Sequence, residues 1–130
     1  MPLLNFTVIR GRTSEQVRQL LDSAHRAVVD AFGVPERDRY QIVDVREPDD
    51  VVALDTGLGF ERSDRLVIIE VVSRRRTAEQ KQRFYELLAE NLHRDCGLDA
   101  TDLIVAITEN GDADWSFGAG RAQFVTGELT

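Results

Sequence analysis

Proline at position 2 is the residue whose chemistry changes most if Met1 is removed. Inside a chain its nitrogen is a tertiary amide, with neither an N–H nor basicity. At the start of a chain it becomes a secondary amine, somewhat more basic than an ordinary α-amino group of pKa about 8. Such a group can donate a proton, accept one after modest tuning, or attack an aldehyde to form an iminium. Proline at position 2 is also commonplace, so Pro2 gains meaning only from partners. The run Arg74-Arg75-Arg76, which closes an apolar strand over residues 66–72, supplies cationic ones. Arginine's rigid fork of donors grips a planar carboxylate. Side chains alternate at a strand end, so Arg74 and Arg76 share one side while Arg75 faces solvent.

The remaining composition narrows the chemistry. His25 and His93 are the only histidines and Cys96 is the only cysteine. A structural zinc site and an internal disulfide framework are therefore not expected. A lone thiol suits a reducing cytoplasm, where the protein is expected. Both histidines fall in helices as flank residues, and Cys96, just before Gly97, reads as a small core residue. Lys81 is the only lysine beside fifteen arginines. It lies among charged neighbours in a helix and reads as a solvated surface group.

A net charge of −7 argues against a nucleic-acid partner, which needs a basic face. No apolar run is long enough for a membrane span, and no basic start precedes one as in a secretory signal. Gly57-Leu58-Gly59 lacks both the Walker lysine and the strand–GxGxxG–helix setting of a nucleotide loop. The polar stretch 44–64 is expected as a loop or short hairpin lying over a neighbouring subunit.

The elements that must position these groups come in duplicate. With residues 1–64 laid on 65–128, Arg12-Thr13-Ser14-Glu15-Gln16 meets Arg76-Thr77-Ala78-Glu79-Gln80, four identities in five. Arg10 meets Arg74, Gly33-Val34 meets Gly97-Leu98, and Asp38 meets Asp102. Each copy reads strand, helix, strand. Thr13 with Gln16, and Thr77 with Gln80, have the spacing of a capping box. Val17, Leu20, Leu21, Ala24, Val28, Ala31 and Phe32 recur at helical spacing, as do Phe84, Leu87, Leu88 and Leu92. Gly33 and Gly97 then end the helices, and Pro35 bars the first from resuming.

A crossover helix makes the strands it joins parallel. The chain is thus expected to be one domain over 1–130, with repeats of about 2–64 and 66–128. Its class is α/β, layered like an α+β sandwich: a four-stranded mixed sheet with two helices on one face. Apolar residues on both sides of strand 67–72 imply that other subunits cover the opposite face. The C-terminal segment interleaves Trp115, Phe117 and Phe124 with glycines. Those aromatics either plug the sheet's end or wall a small-molecule pocket.

Taken together, these features resemble the tautomerase superfamily, and within it the malonate semialdehyde decarboxylase branch. The likeness rests on the Pro-initiated strand, the Gly-Arg-Thr-x-Glu-Gln turn and the duplicated unit. It also rests on Asp38-Arg39-Tyr40 after Gly33-Val34-Pro35, Asp55-Thr56-Gly57-Leu58-Gly59, Ser73-Arg74-x-Arg76, and Asp112-Ala113-Asp114-Trp115-Ser116-Phe117-Gly118. Arg75 departs from the pattern, since the branch tends to carry proline there.

The resemblance implies a homotrimer and a cofactor-independent decarboxylation of malonate semialdehyde, a small 3-oxo acid, to acetaldehyde and CO₂. It implies Pro2 as the catalytic amine, polarised by Asp38, with Arg74 and Arg76 holding the carboxylate and carbonyl of the substrate. It implies Trp115, Phe117, Phe124 and Leu129 as the pocket lining. From its flanks alone, Asp38 could equally be one of an exposed trio with Arg37 and Arg39. Two alternatives share the scaffold: a keto-enol tautomerase, or a hydratase or dehalogenase of unsaturated three-carbon acids. A third is a cytokine-like trimer in which Pro2 is vestigial.

Overall fold

Two threonines start the two long helices in the same way. In the computed structural model, which describes residues 1–130, Thr13 and Thr77 each accept a hydrogen bond from the main-chain N–H three residues on. The side chains of Gln16 and Gln80 accept in turn from the threonine N–H groups. A threonine cap of this kind stabilises a helix by about 1 kcal/mol. Helix α1 then runs over Ser14–Phe32 and α2 over Ala78–Cys96. Gly33 and Gly97 end them at φ 66° and 65°, a left-handed conformation that strains residues bearing a Cβ.

Four strands accompany them: β1 over Leu3–Ile9, β2 over Tyr40–Arg46, β3 over Val67–Arg74 and β4 over Leu103–Asn110. They form one mixed sheet in the order β2-β1-β3-β4. The pairs β1–β2 and β3–β4 are parallel, and β1 and β3 meet antiparallel at the centre. This is the sheet that the strand–helix–strand pattern predicts.

Leu20, Ala24, Val28 and Phe32 from α1, and Phe84, Leu88 and Leu92 from α2, pack on the inward side chains of β1 and β3. Phe32 and Phe84 meet with ring centroids 4.8 Å apart. Completely burying a side chain such as Phe6 or Phe84 contributes about 1.5–3 kcal/mol. Val17, expected in the buried stripe, is only half-buried, and Ala27 joins the core instead.

The opposite face carries Leu3, Tyr40 and Val72 in one row and Asn5, Ile42 and Glu70 in the next. Ile42 is 50% exposed there and Tyr40 41%.

Of the stretch 44–64, expected as a loop or short hairpin, residues 44–46 complete β2 and the rest is loop: a single 3₁₀ turn at Pro48–Asp50 leads into irregular chain. Within it the Asp55 carboxylate accepts from the N–H groups of Gly57 and Gly59, a local turn that satisfies the backbone without strand pairing. Lys81 is not freely solvated, because it pairs with Glu109 of β4 at 3.1 Å. After β4 the chain makes a 3₁₀ turn at Asp112–Asp114 and a one-turn helix, α3, at Gln123–Thr126. No helix is long and apolar enough to cross a membrane.

Candidate active site

The glycine that stops α1 also delivers Asp38. Past Gly33, the chain turns so that the Asp38 N–H donates to the Pro35 carbonyl at 3.0 Å. The Asp38 carboxylate then faces the start of β1, with Oδ2 3.8 Å from the Met1 amine. Asp38 is 5% exposed, and its Oδ1 is buried without a hydrogen-bond partner. Burial pushes its pKa up, against the pull of the amine and of Arg76, His25 and Arg74. Burial likewise lowers the amine's pKa from 8.0 to about 6, with Arg76 and Arg74 adding to the effect and Asp38 opposing it.

Pro2 lies directly behind this amine and is fully buried. While Met1 is attached, the Pro2 nitrogen is an amide. Removing Met1 would create the new amine within about 4 Å of the present one.

Arg74 and Arg76 project from the end of β3, and Arg75 between them is exposed. The Arg74 guanidinium donates to Asp112 at 3.0 Å and to the Thr130 carbonyl at 3.2 Å, with the Phe124 ring 3.7 Å below it. Arg76 donates to Ser73 Oγ at 3.1 Å and to the Phe32 carbonyl at 3.4 Å, and lies over the Phe32 ring. Burial, then Arg74, lowers the Arg76 pKa, with Asp38 opposing.

These groups enclose a cavity of about 300 Å³. Met1, Asp38, Arg74 and Arg76 give it polar points, and Phe32, Val34, Phe124 and Leu129 give it apolar walls. Trp115 and Phe117 do not line it. They stack at 5.3 Å as a second row, Phe117 meeting Phe124 edge-on at 5.6 Å and Tyr40 at 5.5 Å. The aromatics thus both wall the pocket and cap the end of the sheet.

Sequence reasoning did not assign Phe32 or Val34 to the site, although the turn that carries Asp38 necessarily brings them along. Asp112 and Ser73 stand inside motifs that carry the family likeness, but neither was given a role at the site, because that role is set by the fold across 38 residues in one case and by a local bond in the other.

Other reactive side chains are engaged elsewhere. His25 Nε2 lies 2.8 Å from the Glu36 carbonyl, and His93 Nδ1 lies 3.3 Å from that of Leu98. Burial pushes the half-buried Cys96 thiol up. A larger groove beside α1, between Asp22, His25 and Glu36, is polar, and none of the residues lining it carries a buried, unpartnered side-chain atom. No group of three or more His, Cys, Asp or Glu side chains is arranged to hold a metal ion.

A terminal amine and a buried carboxylate facing two arginines, on a paired β-α-β sheet, define a tautomerase-type site. Two family models, each described as tautomerase enzyme, match residues 38–118 and 2–61, and the chain belongs to this family. Its place within it is the malonate semialdehyde decarboxylase-like branch. A malonate semialdehyde decarboxylase with decarboxylase and hydratase activities is 55% identical, with a TM-score of 0.97 covering 98% of this chain and 99% of that one. A second such decarboxylase, FG41, inhibited by 3-bromopropiolate, is 44% identical at a TM-score of 0.94, covering 98% and 97%. The probable tautomerase YrdN of Bacillus subtilis (strain 168) is 54% identical over 99% of this chain and 100% of its own.

Proposed function

We propose that the protein decarboxylates malonate semialdehyde to acetaldehyde and CO₂ without a cofactor, with Pro2 as its amino-terminal ammonium once Met1 is removed. The observation that carries this reading is one cavity in which a chain-terminal amine and buried Asp38 face Arg74 and Arg76 beside apolar Phe124 and Leu129. Likeness to two solved malonate semialdehyde decarboxylases supports the substrate.

Arg74, with the apolar Phe124 ring 3.7 Å from its guanidinium, is assigned to the departing carboxylate, and Arg76 joins the Pro2 ammonium at the aldehyde oxygen. The bond from the carboxyl carbon to C2 breaks, and its electron pair moves into the carbonyl as an enolate. The two cationic donors stabilise that oxyanion. CO₂ departs, and the enolate takes a proton at carbon to give acetaldehyde. Tight pairing of the carboxylate alone would only stabilise the ground state. Phe124, lying against Arg74, supplies an apolar surface that favours neutral CO₂ over the carboxylate. Trp115 and Phe117 support that wall from behind. Pro2 acting as a nucleophile through an iminium would use the same contacts.

The proposed assembly is a homotrimer of single-domain subunits, each a duplicated β-α-β unit. Its contacts would cover the sheet face that holds Leu3, Ile42 and Val72. As the only thiol, Cys96 suits the cytoplasm.

One observation favours a second reading, keto-enol tautomerisation. Burial and the two arginines lower the pKa of an amine at this end of the cavity, toward the free base that a tautomerase requires. The test is to incubate Met1-free protein with malonate semialdehyde, follow acetaldehyde, and assay enol–keto exchange of an arylpyruvate in parallel. Nitrogen NMR titration of Pro2 accompanies both. Acetaldehyde formation with a Pro2 pKa well above 7 supports the decarboxylase. Exchange without acetaldehyde, and a pKa below about 7, establishes the tautomerase instead.

A further inference from the structure

We infer that Asp112 is a positioning residue that holds the Arg74 guanidinium in place for the bound carboxylate, an inference resting on the reading of Arg74 as the carboxylate anchor. The Arg74 guanidinium is held on three sides. Nη1 donates to Asp112 Oδ1 at 3.0 Å, Nη2 donates to the Thr130 carbonyl at 3.2 Å, and the Phe124 ring covers one face at 3.7 Å. Nε alone is buried with no partner. Two of the five N–H donors are thus engaged by fixed acceptors and one face is covered, so the plane and direction of the guanidinium are set by these contacts.

Asp112 is itself held in place. The Asp114 carboxylate accepts from the Gly111 N–H at 2.8 Å, and the Asp114 N–H donates to the Gly111 carbonyl at 3.0 Å. On the other flank the Trp115 indole donates to Asn110 Oδ1 at 2.6 Å. These bonds fix the 3₁₀ turn from both ends, so the carboxylate at its start has a defined direction. Arg76 needs no such partner, because Ser73 and Phe32 already hold it.

The Asp112 side chain is 59% exposed, and an ion pair so exposed contributes little to stability. Its consequence is orientation. An anchor with several rotatable bonds, left without its outer partner, samples positions from which the guanidinium misses the carboxylate, and that disorder must be paid back on binding.

The test compares Asp112→Ala, Asp112→Asn and Arg74→Ala for kcat, KM and thermal stability. Calorimetric binding of propionate, a carboxylate with no reacting carbonyl, is measured on the same samples. Asp112→Asn keeps an oxygen acceptor for Nη1, whereas Asp112→Ala removes it. Expected are a roughly tenfold rise in both KM and propionate Kd for Asp112→Ala, a smaller change in kcat, an unchanged melting temperature, and recovery of most of the affinity in Asp112→Asn. Wild-type KM and propionate affinity in Asp112→Ala, beside a crippled Arg74→Ala, would overturn the role of Asp112 alone. Loss of affinity that tracks a fall in melting temperature in both Asp112 variants would overturn it as well. Undiminished propionate binding in Arg74→Ala would remove the anchor reading and this inference together.

Discussion

Asp38 and Asp102 occupy matching positions after the two long helices, both buried, and only Asp102 has its carboxylate satisfied by the protein. Asp102 accepts from the Ser63 N–H at 2.7 Å and from the Ser63 hydroxyl at 2.5 Å. Asp38 has an amine at 3.8 Å and one oxygen with no partner. The first carboxylate ties the 47–66 segment down, and the second keeps one oxygen free beside the cavity.

This difference predicts opposite responses. Asp102→Ala strands a Ser63 N–H and should cost about 1–3 kcal/mol in urea denaturation. Asp38→Asn should cost nothing, or stabilise, at pH 7. The sign follows from the raised pKa of Asp38. Its favourable contribution is complete below its unfolded pKa of about 4 and is lost as pH rises through the folded value, so at neutral pH the buried charge opposes folding. Turnover should move the other way, falling in Asp38→Asn and persisting in Asp102→Ala. Equal destabilisation by both would contradict the assignment.

Arg76→Ala should reduce kcat/KM by about 10²-fold or more, the usual loss for one donor at a developing charge, and Arg74→Ala should reduce it as far, because the substrate loses the group that orients it. The fold should survive, because the core of β3 lies in Val67, Ile69 and Val71. Arg75→Ala should change little, since its side chain is exposed between them. Steady-state kinetics with circular dichroism on the same samples check this, and an Arg75→Ala defect as deep as the other two would refute the register at the strand end.

Protein that keeps Met1 should be nearly inactive, because the Pro2 nitrogen is then an amide and Met1 fills part of the cavity. Mass spectrometry and assay on one sample should give equal processed and active fractions. Full turnover in unprocessed protein would rule out Pro2.

The same unprocessed protein offers a pH test. Its amine falls from pKa 8.0 to about 6 on folding. The unfolded chain therefore holds more protons between those values, so this contribution is complete above pH 8 and is lost as pH falls through 6. Denaturation midpoints should fall between pH 8.5 and pH 5.5, and the fall should shrink once the amine is acetylated. A slope indifferent to acetylation would contradict the buried amine.

Ile42→Glu should prevent assembly while preserving the helices, because Ile42 is half exposed on the sheet face that no helix covers. Sedimentation would show a trimer for the parent and smaller species for the variant. A stable parent monomer at micromolar concentration would refute the proposed covering.

What the sequence determined by itself was local and periodic. Thr13 with Gln16, Thr77 with Gln80, and the glycines at 33 and 97 marked both helices, since caps and stops act within a few residues. Alternation at the end of β3 separated Arg75 from Arg74 and Arg76, because a strand's side chains have a period of two. The pairing of strands within each unit followed from the crossover helices.

Only the tertiary structure decided which long-range partners these residues meet. It set Ser63 on Asp102 but left Asp38 open, placed Asp112 and Phe124 on Arg74, drew Lys81 to Glu109, and put Trp115 and Phe117 behind the pocket wall. Those contacts depend on the order of four strands and the path of two irregular segments, and no local pattern encodes where such a path returns to the sheet.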